Sequence, residues 1–288
     1  MYLDLGISSK FVISKLDNHM KGIIGAIAGD VIGSAYEFNP TRDYNFELFT
    51  PKSTFTDDTV LTMANAQWLI EDEQHSHEKL VNIMLDMCWK YPDRGYGGRF
   101  AQWIHDGNPQ PYGSFGNGSA MRVSPIGYYA RALDEALELA KISAEVTHNH
   151  PEGIKGAQAT AAAIFLARKG YSKLEIRDYV TKTFKYDLSR TLEEIRPKFT
   201  FDETCQRTVP EAITCFLEGK DYEDVVRLSV SLAGDADTIA AIAGSISSAI
   251  DEVPNEISQP VIALLSEECC TTLLRFNELV AQRESEAL

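Results

Sequence analysis

The chain has 288 residues, of which 44% are hydrophobic, so it has the length and the apolar content of a globular domain with a full core. Its formal net charge of −15 disfavours contact with phosphate backbones and anionic lipids, so we expect neither duplex nucleic acid nor a membrane as a partner. The five cysteines form no C-x-x-C pair, and no N-terminal stretch has the pattern of a signal peptide, which predicts a cytoplasmic protein.

Apolar residues recur at helical spacing along most of the chain. The first such segment, 22–33 (GIIGAIAGDVIG), repeats glycine on related faces and predicts a helix that packs very close to its neighbours, because glycine has no side-chain spacer. Further helices are predicted over 59–70, 78–90, 132–146, 153–169, 208–218, 222–232, 238–250 and 258–281.

Strand signals are weak, because few β-branched residues alternate with polar ones and no Asn-Gly turn joins two such runs. We therefore predict an all-α fold, a compact multi-helix bundle that forms a single domain over 1–288 with its core at about 20–285. Loops are expected at 39–56, 91–118 and 186–207. The second loop is long and rich in Gly, Pro and aromatic residues, which is typical of an ordered, ligand-binding loop.

Two short acidic segments stand at predicted helix starts. Residues 55–64 (FTDDTVLTMA) and 234–244 (GDADTIAAIAG) each combine two aspartates with an adjacent threonine. Asp and Thr are common helix caps, and negative charge is favourable at a helix N-terminus, so capping alone would explain either segment. A cap needs only one acceptor, however, and each segment offers two carboxylates and a hydroxyl between apolar flanks.

Convergence of these two helix starts would put four carboxylates into a small volume. At about 4 Å and an effective dielectric constant near 20, each like-charge pair costs roughly 4 kcal/mol, which protonation or a cation must relieve. Oxygen ligands of this kind favour Mg²⁺, Mn²⁺ or Ca²⁺ over Zn²⁺. The pattern therefore indicates a divalent metal site, provided that the two segments meet.

Two further acidic residues lie within or just after the first glycine-rich segment. Asp30 lies in the middle of the glycine face of 22–33, where it is either a buried hydrogen-bond acceptor or a group that supports a metal ligand. Glu37 follows where that segment turns into a loop. The residues alone leave both readings of Asp30 open.

A second glycine-rich segment and a pair of histidines are candidates for substrate contact. Residues 116–127 (GNGSAMRVSPIG) predict either a phosphate cradle of backbone N–H groups or a tight turn capped by Ser119. His148 and His150 either hydrogen-bond a substrate or cap the helix that is expected to start near Pro151.

Taken in order, five segments resemble the ADP-ribosylglycohydrolase family, whose best-known bacterial type is the dinitrogenase reductase-activating glycohydrolase. Each segment alone is a weak signal, but their order and spacing together are specific, and the match runs from about Gly22 to Ala249. The resemblance implies an all-helical fold and a binuclear centre of two divalent cations, Mg²⁺ or Mn²⁺. The segments are GAIAGDVIGSAYEF (25–38), FTDDT (55–59), GNGSAMRVSPIG (116–127), THNHPEG (147–153) and SLAGDADT (231–238).

The resemblance also assigns roles by position. It implies that the metal ligands are Thr56, Asp57, Asp58, Asp235, Asp237 and Thr238. It implies that the pyrophosphate and the proximal ribose of a substrate are lined by Gly116, Asn117, Gly118, Ser119 and Met121, with His148 near the diphosphate or the ribose. The catalytic candidates are Asp57, Asp58 and Glu37, and Glu37 matches a loop carboxylate that contacts metal or positions water in some members.

The implied reaction is hydrolysis of the glycosidic bond between ADP-ribose and an acceptor, so the expected partner is ADP-ribose or an ADP-ribosylated molecule. One departure is Ala233-Gly234, where the family commonly has two glycines. Every metal-ligand position is retained, so we expect an intact metal site. Two other functions stay open at this point: a two-metal phosphoester hydrolase, and a non-enzymatic ADP-ribose-binding or structural protein on the same fold.

Overall fold

The computed structural model describes residues 21–286, so the outermost parts of the predicted domain, 1–20 and 287–288, lie outside it. The described residues form fifteen α-helices without a β-strand, and one isolated antiparallel bridge joins Gly116 and Thr204. The all-α prediction is confirmed. The helices are α1 (Ile24–Gly33), α2 (Asp57–Glu71), α3 (His77–Lys90), α4 (Gly98–His105), α5 (Gly118–Met121), α6 (Ser124–Tyr129), α7 (Leu133–Glu145), α8 (Pro151–Arg168), α9 (Lys173–Phe184), α10 (Leu192–Ile195), α11 (Cys205–Glu218), α12 (Tyr222–Val230), α13 (Ala236–Ser247), α14 (Asn255–Leu264) and α15 (Glu267–Ser285).

The centre of the fold is a pair of helices that are buried on every face. All ten residues of α1 and all twelve residues of α13 are buried. A helix whose sequence is apolar or small all round belongs in the interior, because it has no polar face to leave in water. Helices α2, α8, α11 and α12 pack around this pair. Within residues 21–286, no helix has the length and apolarity needed to cross a membrane.

The glycines of α1 let its backbone touch the backbone of α13. A Cβ atom built on Gly29 would lie 2.2 Å from the carbonyl oxygen of Ala240, and one built on Gly33 would lie 2.4 Å from Cα of Asp237. Neither distance is compatible with a real Cβ atom, so the close packing predicted from the glycine repeat is confirmed. As a consequence, the end of α1 lies directly beside the first turn of α13.

The predicted helix over 258–281 is interrupted, and α14 and α15 take its place. Leu265 is extended (φ −76°, ψ 151°), and Ser266 caps the next helix by accepting the Cys269 N–H at 3.1 Å. The apolar periodicity continues across the break because the two helices bury similar faces. Periodicity alone therefore could not locate the boundary.

Short helices within the predicted loops are a second difference. Helix α4 lies inside the loop expected at 91–118, and α10 lies inside the loop expected at 186–207. A helix of one or two turns depends on tertiary packing rather than on its own propensity, so its sequence carries little periodic signal. Helix α9 is also missing from the predicted set, although Ser172 and Glu175 form a capping box that marks its start.

We predict that Gly29→Ala lowers the free energy of unfolding by about 3 kcal/mol, because the added methyl group must push α1 away from α13. Gly107→Ala is the matched control, since a Cβ atom there has open space around it. Chemical denaturation of both variants measures the difference. Equal stability of the two would contradict backbone-to-backbone packing at Gly29.

Candidate active site

Asp30 organises the start of α2. Its carboxylate is fully buried and accepts hydrogen bonds from the backbone N–H of Thr56 at 3.0 Å and of Thr59 at 3.1 Å. The hydroxyl of Thr56 donates to it at 2.7 Å, and the hydroxyl of Thr59 donates to it as well. Asp30 is thus a buried hydrogen-bond acceptor, which is one of the two roles considered for it from the sequence. It fixes the backbone from which Asp57 and Asp58 project.

The starts of α2 and α13 meet. The Thr238 hydroxyl donates to Asp58 Oδ2 at 3.2 Å, which joins the two acidic segments directly. Carboxylate oxygens of Glu37, Asp235 and Asp237 all lie within 4.8 Å of one another. The condition attached to the predicted metal site, convergence of two segments that are distant in sequence, is therefore met in the fold.

Burial and mutual repulsion shape the electrostatics of this carboxylate cluster. Burial, followed by repulsion from Asp237 and Asp30, raises the pKa values of Asp57 and Asp58 well above the ordinary range. Burial and the negative charge of Asp235 do the same to the pKa of Asp237. These carboxylates hold protons far more tightly than free ones do, and a bound cation would take the place of those protons.

Two other carboxylates of the cluster have raised pKa values that lie closer to neutrality. Burial raises the pKa of Asp235 to about 6, against the lowering effect of its hydrogen bonds from Asp237 and Asn117. Burial, repulsion by Asp237 and a hydrogen bond with it raise the pKa of Glu37 to about 8. Both groups therefore change protonation state in the range from weakly acidic to weakly basic solution.

The chemistry of the cluster fits a hard divalent cation. Its donors are carboxylate and hydroxyl oxygens, which suit Mg²⁺, Mn²⁺ or Ca²⁺. Asp58 Oδ1 is buried and has no hydrogen-bond partner within residues 21–286, a costly arrangement for a carboxylate oxygen unless a cation completes it. The structure thus has an acidic cluster that could hold metal.

The carboxylate cluster forms one side of a cavity of about 260 Å³ that is open to solvent. The glycine-rich segment at the start of α5 and His148 form another part of its wall. The sequence-predicted residues that line it are Glu37, Asp57, Asp58, Gly116, Asn117, Gly118, Met121, His148, Asp235, Asp237 and Thr238. Asn117 connects the two sides, because its side-chain amide donates to Asp235 Oδ2 at 2.7 Å.

Two of the predicted site residues, Thr56 and Ser119, do not line this cavity. The Thr56 hydroxyl donates to Asp30 and accepts the Asp58 N–H at 3.3 Å, so these two hydrogen bonds hold it at the start of α2. The Ser119 hydroxyl is fully buried and donates to the carbonyl oxygen of Gly153 at 2.7 Å. Ser119 caps no helix through its side chain, since α5 starts after Asn117 without a side-chain cap.

The two neighbouring histidines have different positions. His150 is the N-cap of α8, because its Nδ1 atom accepts the Glu152 N–H at 3.1 Å and Pro151 occupies the first turn. His148 is buried and lines the cavity next to Gly118. The sequence left both roles open for both residues; the fold makes His150 the cap and places His148 at the cavity.

Several cavity residues were not among the predicted site residues: Arg99, Tyr112, Ser114, Arg122 and Glu203. The first three come from the loop predicted to bind a ligand, but no spacing marked them within it. Glu203 reaches the cavity because its carbonyl oxygen accepts the Asn117 N–H at 2.7 Å, a contact between segments distant in sequence. Arg122 stands in the motif GNGSAMRV, and the signal available there was a charged residue within a segment of small and apolar residues.

The chain is similar to proteins of one known family. The family model described as ADP-ribosylglycohydrolase matches residues 13–287. The chain belongs to the ADP-ribosylglycohydrolase family. It is 28% identical to ADP-ribosylhydrolase ARH3 of Homo sapiens, in an alignment that covers 82% of this chain and 87% of that protein. It is 22% identical to ADP-ribosylarginine hydrolase Tri1 of Pseudomonas putida (strain GB-1), over 82% and 71% of the two chains.

A solved structure of an "ADP-ribosylglycohydrolase-related protein complex" has the same fold. Its TM-score with this chain is 0.66 at 21% sequence identity, and the superposition covers 86% of this chain and 94% of that one. The ADP-ribosylglycohydrolase fold therefore extends over most of the helices described above.

The departure from the family pattern at Ala233 has a measurable backbone cost. Ala233 has φ +59°, in the left-handed region, where a residue with a side chain is strained by about 1–2 kcal/mol. We predict that Ala233→Gly raises the free energy of unfolding by about 0.5–1 kcal/mol, after allowance for the greater freedom of glycine in the unfolded chain.

The neighbouring change Gly234→Ala is expected to destabilise the protein, because its Cβ atom would lie 2.3 Å from Phe199 Cε1. Thermal or chemical unfolding tests both, and a destabilising Ala233→Gly would refute the assigned strain.

We predict that the protein without divalent cations loses stability as the pH rises from about 4 to about 8. The folded protein holds protons on Asp235 and Glu37 up to pH values near 6 and 8, whereas unfolded carboxyls release theirs near 4. Between these limits the folded state binds more protons than the unfolded state, so the free energy of unfolding falls with rising pH. Added Mg²⁺ should therefore raise Tm more at pH 8 than at pH 5. NaCl at matched ionic strength is the control, and an equal Tm shift with both salts would contradict a specific site.

Proposed function

We propose that this protein is a metal-dependent ADP-ribosylhydrolase, which cleaves the glycosidic bond between ADP-ribose and an acceptor and releases ADP-ribose. The observation that carries the proposal is the meeting of two acidic helix starts beside a glycine-rich loop in one cavity. The names of the human and Pseudomonas putida relatives, ADP-ribosylhydrolase and ADP-ribosylarginine hydrolase, support the same reaction. The proposed substrate is an ADP-ribosylated molecule.

The proposed cofactors are two divalent cations, Mg²⁺ or Mn²⁺. The buried oxygen donors and the unpaired Asp58 Oδ1 atom support this assignment. When bound, such cations supply positive charge that orients the ribose hydroxyls and acidifies water. The proposed ligands are Thr56, Asp57, Asp58, Asp235, Asp237 and Thr238.

The segment at the start of α5 is the proposed binding site for the pyrophosphate and the proximal ribose. Gly116 and Gly118 have no side chain between the backbone and the ring of His148, since a Cβ atom on Gly118 would lie 3.1 Å from His148 Nε2. This leaves room for a substrate oxygen to approach both the backbone and the ring. Asn117, Ser119 and Met121 complete the proposed set, and Ser119 contributes by anchoring the segment to Gly153.

Glu37, Asp57 and Asp58 are the proposed catalytic carboxylates. Cleavage at the anomeric carbon develops positive charge on the ribose ring, which nearby carboxylates stabilise. Glu37 is only partly buried, and its pKa is raised to about 8, so it can exchange a proton near neutral pH. Asp57 and Asp58 are better placed to hold cations, because they project from the fixed backbone of the first turn of α2.

We predict that Asp58→Asn and Asp237→Asn each lower kcat by about 10³-fold without loss of the fold, because each removes a charged ligand and keeps the side-chain shape. The measurement is release of free ADP-ribose from arginine- and serine-ADP-ribosylated peptides in Mg²⁺, with EDTA as the metal control. Asp178→Asn is the matched variant, since the Asp178 side chain is 67% exposed on α9 and should leave turnover unchanged. Circular dichroism checks folding.

The product identifies the reaction. Metal-dependent release of ADP-ribose from one peptide supports the proposal and names the acceptor. Release of AMP or inorganic phosphate would show a phosphoester hydrolase instead. Tight ADP-ribose binding without release from any acceptor, or near-normal turnover in both aspartate variants, would overturn the metal-centred hydrolase.

A further inference from the structure

Arg122 is a buried cation without a carboxylate partner. Its side chain is fully buried, and it forms no ion pair within the described part of the chain. One terminal nitrogen donates to the Ser143 carbonyl oxygen at 2.7 Å and to the Thr147 hydroxyl at 2.9 Å. Burial lowers the pKa of Arg122 only to about 10, so the guanidinium stays charged at neutral pH. A buried charge without an ion pair depends on its hydrogen bonds, and one of those made by Arg122 leads to Thr147.

Thr147 connects Arg122 to the cavity. Its hydroxyl oxygen lies 2.9 Å from the Arg122 terminal nitrogen and 2.7 Å from His148 Nδ1. An arginine only donates hydrogen bonds, so the Thr147 oxygen is the acceptor in the first contact. The single hydroxyl proton of Thr147 is then available for the second contact, which makes His148 Nδ1 the acceptor.

The opposite arrangement leaves a proton unused. If His148 Nδ1 carried the proton and donated to Thr147, the oxygen would accept two hydrogen bonds, and its own proton would find no acceptor among residues 21–286. A buried donor without a partner costs about 1–3 kcal/mol. The contacts of Thr147 therefore favour the ring form that has its proton on Nε2.

The Nε2 atom of His148 faces the glycine-rich segment. It lies 3.6 Å from the position that a Cβ atom on Gly116 would occupy and 3.1 Å from that position on Gly118. Burial and the positive charges of Arg122 and Arg99 lower the pKa of His148 well below its ordinary value, so the ring is neutral. A neutral ring has one donor and one acceptor nitrogen, and which of them faces the cavity decides what the ring can bind.

We propose that Arg122 and Thr147 are positioning residues that hold His148 in the Nε2–H form, so that His148 presents a hydrogen-bond donor to the cavity and selects an acceptor oxygen, as on a phosphate, at this point. The identity of the ligand in the cavity rests on the proposed function. The hydrogen-bonded chain from Arg122 through Thr147 to His148, called the relay below, rests only on the contacts of Thr147.

The decisive measurement is ¹⁵N NMR of the histidine rings in uniformly labelled protein without ligand, with the His148 signals assigned by their loss in His148→Gln. We expect the wild type to show a protonated Nε2 and an unprotonated Nδ1. Thr147→Val, which replaces the hydroxyl by a methyl group, should shift His148 towards the Nδ1–H form. Thr147→Ser keeps the hydroxyl and should restore the wild-type spectrum.

Binding of ADP-ribose gives the functional readout. We expect Thr147→Val to raise Kd about tenfold and Thr147→Ser to leave it within about twofold, the change expected for loss of one hydrogen bond to a charged group. A wild-type spectrum of the Nδ1–H form overturns the relay even if Thr147→Val does not fold, and so does an unchanged spectrum in a folded Thr147→Val.

The two proposals fail in different ways. If the Nε2–H form depends on Thr147 but ADP-ribose neither binds nor is released from any peptide, the relay stands and the proposed function is wrong. If ADP-ribose is released at a normal rate while the protonated nitrogen of His148 stays the same in Thr147→Val, the function stands and the relay is wrong.

Discussion

The contact between the backbones of α1 and α13 is the constraint on which the site depends. Gly29 and Gly33 let the two helices approach until no side chain separates them, and this brings Asp30 at the end of α1 close to Asp237 at the start of α13. Carboxylates gathered in this way repel each other by roughly 4 kcal/mol per pair at about 4 Å. The burial of both helices on every face supplies the free energy that holds the charges together.

The cavity has two electrostatic sides. The charges that shift the pKa of Asp58 are all carboxylates, whereas those that shift the pKa of His148 are both arginines, Arg122 and Arg99. The first side attracts cations and the second favours an anion or another acceptor. The proposed substrate joins a diphosphate to a sugar diol, so its chemistry matches both sides of the cavity. Asn117 donates to Asp235 and so fixes the spacing between the sides.

The fold was largely predictable where a helix is long enough to show its period. The predictions over 59–70, 153–169 and 238–250 correspond to α2, α8 and α13, because each of these helices repeats its apolar positions over several turns. Helices α4 and α10 were not predictable in this way. They span eight and four residues, so only packing against the rest of the chain makes them stable.

The sequence by itself determined which residue types could form a site: two acidic helix starts at 56–58 and 235–238, a glycine-rich segment and a histidine, in an order typical of one family. Only the tertiary structure decided that the acidic segments meet, through the bond from Thr238 to Asp58. Only the tertiary structure separated the capping histidine, His150, from the cavity histidine, His148. It also linked Arg122 to His148 through the Thr147 hydroxyl. The reason is physical: spacing along a helix fixes which face a residue shares, but contacts between distant segments depend on how closely their backbones pack.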